Sequence, residues 1–73
     1  MIVRYDRVGD TLDLILSRKQ IHHAEEHGPI IINYDRRGEP VEIELLGASR
    51  LLGELLAGLL RARSEAEPLE VQL

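Results

Sequence analysis

The chain has 73 residues, a formal net charge of -4 and no cysteine. This length allows one small domain, and the lack of cysteine excludes disulfides and thiolate metal sites. The negative charge disfavours nucleic-acid binding, because Lys and Arg contacts to phosphate supply most non-specific affinity. No apolar run reaches the ~20 residues of a membrane span, and charged residues interrupt any N-terminal signal sequence, so we expect a cytoplasmic protein.

The first half of the chain predicts two strands joined by a turn. The first covers about residues 1–6 and ends before the turn at Gly9-Asp10. The second covers about residues 11–17, in which Leu12, Leu14 and Leu16 fall on one face. The other face carries Thr11, Asp13 and Ser17, with Ile15 as the exception. Alternation of this kind is typical of a strand with one covered face and one wet face.

Two further strands are predicted after Gly28-Pro29. The isoleucine-rich run IIINYD favours β structure, and PVEIELL alternates apolar and acidic residues. Between them, Asp35 opens a turn and Gly38 closes it as a type I turn with a G1 bulge. The preceding segment IHHAEEH shows no apolar pattern, and we interpret it as a solvated connector between strands.

An amphipathic helix is predicted from Ser49, as its N-cap, to about Ser64. Its leucines are Leu51, Leu52, Leu55, Leu56, Leu59 and Leu60. They sweep about half of the helix circumference, which exceeds the ~100° needed to cover one sheet. Residues 1–64 are therefore expected to form a single domain with a surplus of apolar helix surface, and residues 65–73 a tail that forms an edge strand or frays.

These elements predict an α+β fold. Four antiparallel strands form a β-meander, and one C-terminal amphipathic helix packs on the apolar face of the sheet. Because so small a core leaves little margin of stability, and disulfides are excluded, we expect the chain to form a homodimer or a higher oligomer.

Several stretches resemble a family of short prokaryotic proteins, the domain of unknown function 2283. They are RYD, TLDLILS, the run from Gly28 into IIINYD, RRGEPVEIEL and GAS, and they cover about residues 1–50. The resemblance implies a small sheet followed by a helix, with no established activity and no catalytic residues. The histidines of IHHAEEH depart from the family's pattern, so no metal role is inherited.

His23, Glu26 and His27 spell H-x-x-E-H, which on a helix places two zinc ligands and a catalytic carboxylate together. The segment is short and lies between predicted strands, and catalytic zinc also needs a third ligand and a cleft. On an extended chain, His23 and His27 would lie too far apart to chelate readily. We therefore expect no metal or other cofactor, and keep metal binding by His22, His23 and His27 as an alternative.

Basic residues provide the second alternative. Arg36 and Arg37 at a hairpin tip are expected near Arg18 and Lys19, which would form a small phosphate-contact patch for a nucleic-acid accessory protein. The sequence lacks an aromatic platform for single strands and a helix-turn-helix pattern. None of its serines lies in a G-x-S-x-G setting, so no enzyme activity is predicted.

The leading hypothesis is a non-enzymatic protein-interaction module. Its expected contact surface is one flank of the leucine stripe, formed by Leu52, Leu56 and Leu60. The expected partner is a second copy of the chain, and a specific version is an antitoxin-like protein that pairs with a small basic protein. Membrane binding is not expected.

Overall fold

The computed structural model describes residues 1–65, which form one five-stranded antiparallel sheet followed by one helix. The strands are β1 (Ile2–Asp6), β2 (Thr11–Ile15), β3 (His23–His27), β4 (Ile30–Tyr34) and β5 (Pro40–Leu46), and the helix is α1 (Ala48–Glu65). The predicted α+β class is confirmed. The strand expected near the C-terminus lies outside the described residues.

The expectation of four strands is wrong, because the segment interpreted as a connector forms β3. Strand β3 pairs antiparallel with β4, with His27 opposite Ile30. Gly28-Pro29 is the two-residue turn of this hairpin, and Gly28 has a φ of 58°, as the first position of a type II′ turn requires. Strand β3 is exposed throughout and is held through its pairing with β4, so its residues needed no apolar alternation.

The strand order is β1-β2-β5-β4-β3, so the expected simple meander is also wrong. Hairpin β1–β2 is followed by a connection that crosses to the far edge, where β3 begins. Strands β3, β4 and β5 then return across the sheet, and β5 pairs with β2. Strand β5, the last strand among the described residues, is therefore the central strand, and its pairing with β2 joins the two halves of the sheet.

The register places apolar side chains together on one face of the sheet. Across the strands, the two rows are Tyr5, Leu12, Leu45, Ile30 and His27, and Val3, Leu14, Ile43, Ile32 and Glu25. The six aliphatic residues in the middle of these rows remain partly accessible to solvent. The opposite face carries Asp13, Glu42 and Glu44. The predicted alternation is confirmed along β5 and, in β2, for Leu12 and Leu14. The second strand is shorter than expected, because it ends at Ile15 and leaves Leu16 outside it and exposed.

Few side chains are deeply buried among the described residues. The buried apolar residues are Val41, Ala48 and Leu51, and no large side chain is fully enclosed. Ala48 and Leu51 lie on one flank of α1, close to its N-terminus, and Leu55 one turn later is half-buried. In the described part of the chain, the α1 backbone does not run within 8 Å of any one strand over an extended length, measured between Cα atoms. The core is therefore thin, and α1 leaves the apolar sheet face incompletely covered.

The N-terminus of α1 is fixed by Asp10, in the turn between β1 and β2. The N–H and the hydroxyl of Ser49 donate to the Asp10 carboxylate over 3.0 and 2.7 Å, and the N–H of Ala48 donates to the Asp10 carbonyl over 2.9 Å. The Tyr5 hydroxyl also donates to this carboxylate, over 2.6 Å. These bonds satisfy backbone donors that the first helical turn leaves free, and the negative charge complements the helix dipole.

The prediction that Ser49 is the N-cap is wrong by two positions. The carbonyl of Gly47 accepts the first helical bonds, from the N–H groups of Arg50 and Leu51. The capping carboxylate is supplied by Asp10, 39 residues earlier in the chain. A helix start that depends on so distant a residue cannot be recognised from the local sequence.

We expect Asp10→Asn to lower the urea midpoint of unfolding at neutral pH. Hydrogen bonds from Tyr5 first, and then from Ser49, hold the pKa of the Asp10 carboxyl below its usual value. A lowered folded-state pKa means that the carboxylate stabilises the fold fully above its unfolded-state pKa of about 3.9 and loses this contribution as the pH falls further. The difference in urea midpoint between the native protein and Asp10→Asn should therefore become smaller at acidic pH.

Asparagine is the suitable replacement because it tolerates the φ of 51° at this position. Ser49→Ala removes only the hydroxyl donor and should lower the urea midpoint less than Asp10→Asn does. Equal urea midpoints for the native protein and Asp10→Asn at pH 7 would contradict a stabilising role for this carboxylate.

Candidate functional site

The H-x-x-E-H residues do not form a helical metal site, because they lie on β3. His23 and His27 share a sheet face but are four residues apart, a span of about 13 Å at the rise of a strand. Glu26 points to the opposite face, since neighbouring strand positions alternate. The geometry required for catalytic zinc is therefore absent from this segment.

The histidines instead separate into two groups. His27 Nε2 lies 3.4 Å from Glu25 Oε2 on the same strand. At the other end of β3, His22 Nδ1 and His23 Nδ1 are 3.1 Å apart, and the His23 ring stacks on Tyr34 with ring centroids 5.1 Å apart. These histidines were candidate metal ligands in the sequence, but no pattern indicated that the rings of His22 and His23 are in contact. Neighbouring side chains on a strand normally point to opposite faces of the sheet.

The basic residues of the second alternative partly come together. Lys19, Arg36 and Arg37 line one shallow depression, with Gln20 and Asp35, whereas Arg18 lines a different depression near the N-terminus. Acidic side chains accompany this cluster: Lys19 Nζ lies 3.8 Å from Asp35 Oδ2 and 3.6 Å from Glu39 Oε2.

Asp35 is mainly a turn former, as expected from the sequence. Its carboxylate is buried and accepts the N–H groups of Glu39 and Arg37, each over 2.9 Å. The bond from Glu39 is the leading cause that holds the pKa of Asp35 below its usual value. Gly38 has a φ of 83°, which fits the left-handed position predicted for it. The depression is therefore the outer surface of a structural turn.

Three carboxylates converge on the polar face of the sheet, where sequence reasoning named no site. One carboxylate oxygen from each of Asp13, Glu42 and Glu44 lies within 4.8 Å of the others. Asn33, which is 8% exposed, donates through Nδ2 to Glu44 Oε1 over 3.2 Å. The alternation of Glu42 and Glu44 was visible in the sequence, but the pairing of β2 with β5 was required to bring Asp13 beside them.

The apolar arc of α1 divides into two flanks. Ala48, Leu51 and Leu55 form the flank that is buried or half-buried, and the neighbouring flank, about 90° around the helix, is exposed. We define the exposed leucine flank as Leu52, Leu56, Leu59 and Leu60, whose side chains are between 45% and 58% exposed. It contains the three leucines selected from the sequence, together with Leu59. In the described residues, no helix is long and apolar enough to cross a membrane.

We expect Glu42→Gln to stabilise the protein at neutral pH. Burial, and then repulsion by Asp13 and Glu44, raise the pKa of Glu42, with Arg4 opposing them. A raised folded-state pKa means that ionisation of Glu42 destabilises the fold as the pH rises above its unfolded-state value of about 4.3. The variant should therefore unfold at higher urea than the native protein at pH 7 and at similar urea near pH 4.

Glu26→Gln is the matched control, because Glu26 lies on the same sheet face but on the exposed edge strand β3. It removes the same charge without relieving the three-carboxylate group. If Glu26→Gln raised the urea midpoint at pH 7 as much as Glu42→Gln does, the effect would come from net charge, and local repulsion among the three carboxylates would be contradicted.

Comparison with known proteins identifies the family of the chain. The family model described as "Protein of unknown function (DUF2283)" matches residues 2–49, which include all five strands and the Asp10–Ser49 contact. No curated protein and no solved structure shows significant similarity to the chain. The match confirms the resemblance noted from the sequence over about residues 1–50. With about two thirds of its length matched, the chain belongs to the DUF2283 family of proteins of unknown function.

Proposed function

We propose that this protein is a small non-enzymatic interaction module that pairs with a second copy of itself through the exposed leucine flank of α1. The observation that carries the proposal is the exposure of this flank beside a helix flank that is already buried. Leucines at successive helical turns form a continuous apolar strip, and such strips on small proteins mark association surfaces.

The exposed apolar surface supports association. The four leucines of the exposed flank are between 45% and 58% exposed, and the six aliphatic residues in the middle of the sheet's apolar face remain partly accessible. A standard interface removes about 800 Å² from each partner. Burial of the exposed leucine flank and part of the sheet's apolar face would contribute apolar area to such an interface.

The charge on α1 favours a second copy over a strongly basic partner. Among the helical residues whose side chains the structure describes, Arg50 and Arg61 are basic and Glu54 is acidic. Arg50 Nε lies 3.4 Å from Glu54 Oε1, so part of this charge is already balanced within the helix. A surface of mixed charge suits a copy of itself, whereas an antitoxin-like pairing with a small basic protein requires an acidic contact surface.

The setting that we propose for this module is the cytoplasm. A chain without cysteine has no need of an oxidising compartment, and a small domain without disulfides gains stability when partner burial enlarges its core. Self-association would therefore serve both the fold and the function.

The test is the native mass of the untagged full chain in EDTA, over a range of concentrations. We expect twice the monomer mass of 8.3 kDa, and we expect Leu56→Glu to weaken the dimer by at least about 30-fold. Leu56 is 58% exposed, so the variant should fold, and circular dichroism would verify this. A native protein that stays monomeric at every concentration would overturn the proposal.

Ala57→Glu is the matched control, because it places the same charge one residue further on, on the polar side of the helix. It should leave the dimer intact. Loss of the dimer in both variants would indicate a general effect of charge and would contradict assembly through the leucine flank.

We also expect Gly53→Ala to have opposite effects on monomer stability and on dimerisation. A Cβ at Gly53 would meet nothing within 4 Å in the same chain, so alanine should stabilise the helix by about 1 kcal/mol. Gly53 borders Leu56 and allows close approach of a second backbone, so the added methyl should weaken the dimer. A higher melting temperature with unchanged dimer affinity would contradict close approach at this position.

A further inference from the structure

The pair formed by His22 and His23 has the geometry of two ligands on one metal ion. Their Nδ1 atoms are 3.1 Å apart and their rings stand nearly perpendicular, at 86°. Two ligands on a metal with bonds of about 2.0–2.1 Å lie about 2.8–3.4 Å apart, from the right angle of a square plane to the wider angle of a tetrahedron. The observed separation lies within this range.

The fold holds both rings in this arrangement. His22 lies one residue before β3, and its N–H donates to the Tyr34 carbonyl over 2.7 Å. The ring of His23 stacks on the Tyr34 ring, with an angle of 15° between the planes. Because His22 is outside the strand, it escapes the alternation that would direct it away from its neighbour. Tyr34 thus positions both histidines, one through its backbone and one through its ring.

We propose that His22 and His23 bind one divalent transition-metal ion through their Nδ1 atoms. Imidazole nitrogen suits Zn²⁺, Ni²⁺ and Cu²⁺, and does not suit Mg²⁺ or Ca²⁺, which prefer oxygen. Both side chains are exposed, so an ion can reach them without rearrangement of the fold. In the described residues, no third histidine or carboxylate joins this pair in a group of three ligands, so water completes the coordination.

In the metal-free protein, the same distance suits a hydrogen bond in which one Nδ1–H donates to the other Nδ1. Metal binding requires the donor ring to carry its proton on Nε2, so that both Nδ1 lone pairs face the ion. This change of tautomer releases no proton. The site is separate from the exposed leucine flank and does not depend on dimerisation.

The test is calorimetric titration of the metal-free full chain with Zn²⁺, together with three variants. His22→Ala removes one ligand, and His23→Phe removes the other but keeps a ring to stack on Tyr34. His27→Ala is the matched control, because His27 is an exposed histidine on the same strand but outside the pair. We expect one ion per chain, a loss of at least about 10-fold in affinity for each of the first two variants, and a change below about 2-fold for His27→Ala.

Electron paramagnetic resonance with Cu²⁺ provides a second readout, with hyperfine coupling to two imidazole nitrogens expected in the native protein and to one in either ligand variant. Unchanged Zn²⁺ affinity in His22→Ala or His23→Phe, or an equal loss in all three variants, would mean an adventitious ion only and would overturn the proposal. Absence of measurable Zn²⁺ binding to the native chain would overturn it as well.

Discussion

One carboxylate, that of Asp10, connects the first turn of the sheet with the start of the helix. Asp10 accepts hydrogen bonds from Tyr5 on β1 and from Ser49 in the first turn of α1. The bonds to Ser49 join residues 39 positions apart, and few side chains are deeply buried among the residues whose burial is described. Where apolar burial is limited, charge-assisted hydrogen bonds supply a larger share of the constraint that fixes one element against another.

The central position of β5 has a comparable effect on the sheet. Because β5 pairs with β2 on one side and with β4 on the other, it joins the two hairpins into one sheet. This arrangement gathers aliphatic residues on one face and the carboxylates of Asp13, Glu42 and Glu44 on the other. The sheet thus has one face suited to burial and one face on which like charges repel each other.

The features of this protein that are most relevant to binding lie on its surface and not in its interior. The apolar sheet face is incompletely covered, the exposed leucine flank faces solvent, and the metal-binding pair proposed here lies at the edge formed by β3. These exposed surfaces support the proposal that the domain contacts other molecules. The proposed self-association through α1 and the proposed metal binding by His22 and His23 would use different parts of the molecule, so neither proposal depends on the other.

The sequence by itself determined the elements with strong local patterns. Leucine alternation gave β2, the isoleucines gave β4, and helical periodicity gave α1, including the surplus flank that contains Leu56. Only the tertiary structure decided the order of the strands, the presence of β3 in the sheet, and the capping of α1 by Asp10. The physical reason is that β3 is held by backbone bonds to a neighbouring strand, and Asp10 acts on a helix far along the chain, so neither leaves a periodic signal in its own segment. The contact between His22 and His23 was also decided only by the tertiary structure, because it depends on where β3 begins and on the ring of Tyr34 across the hairpin.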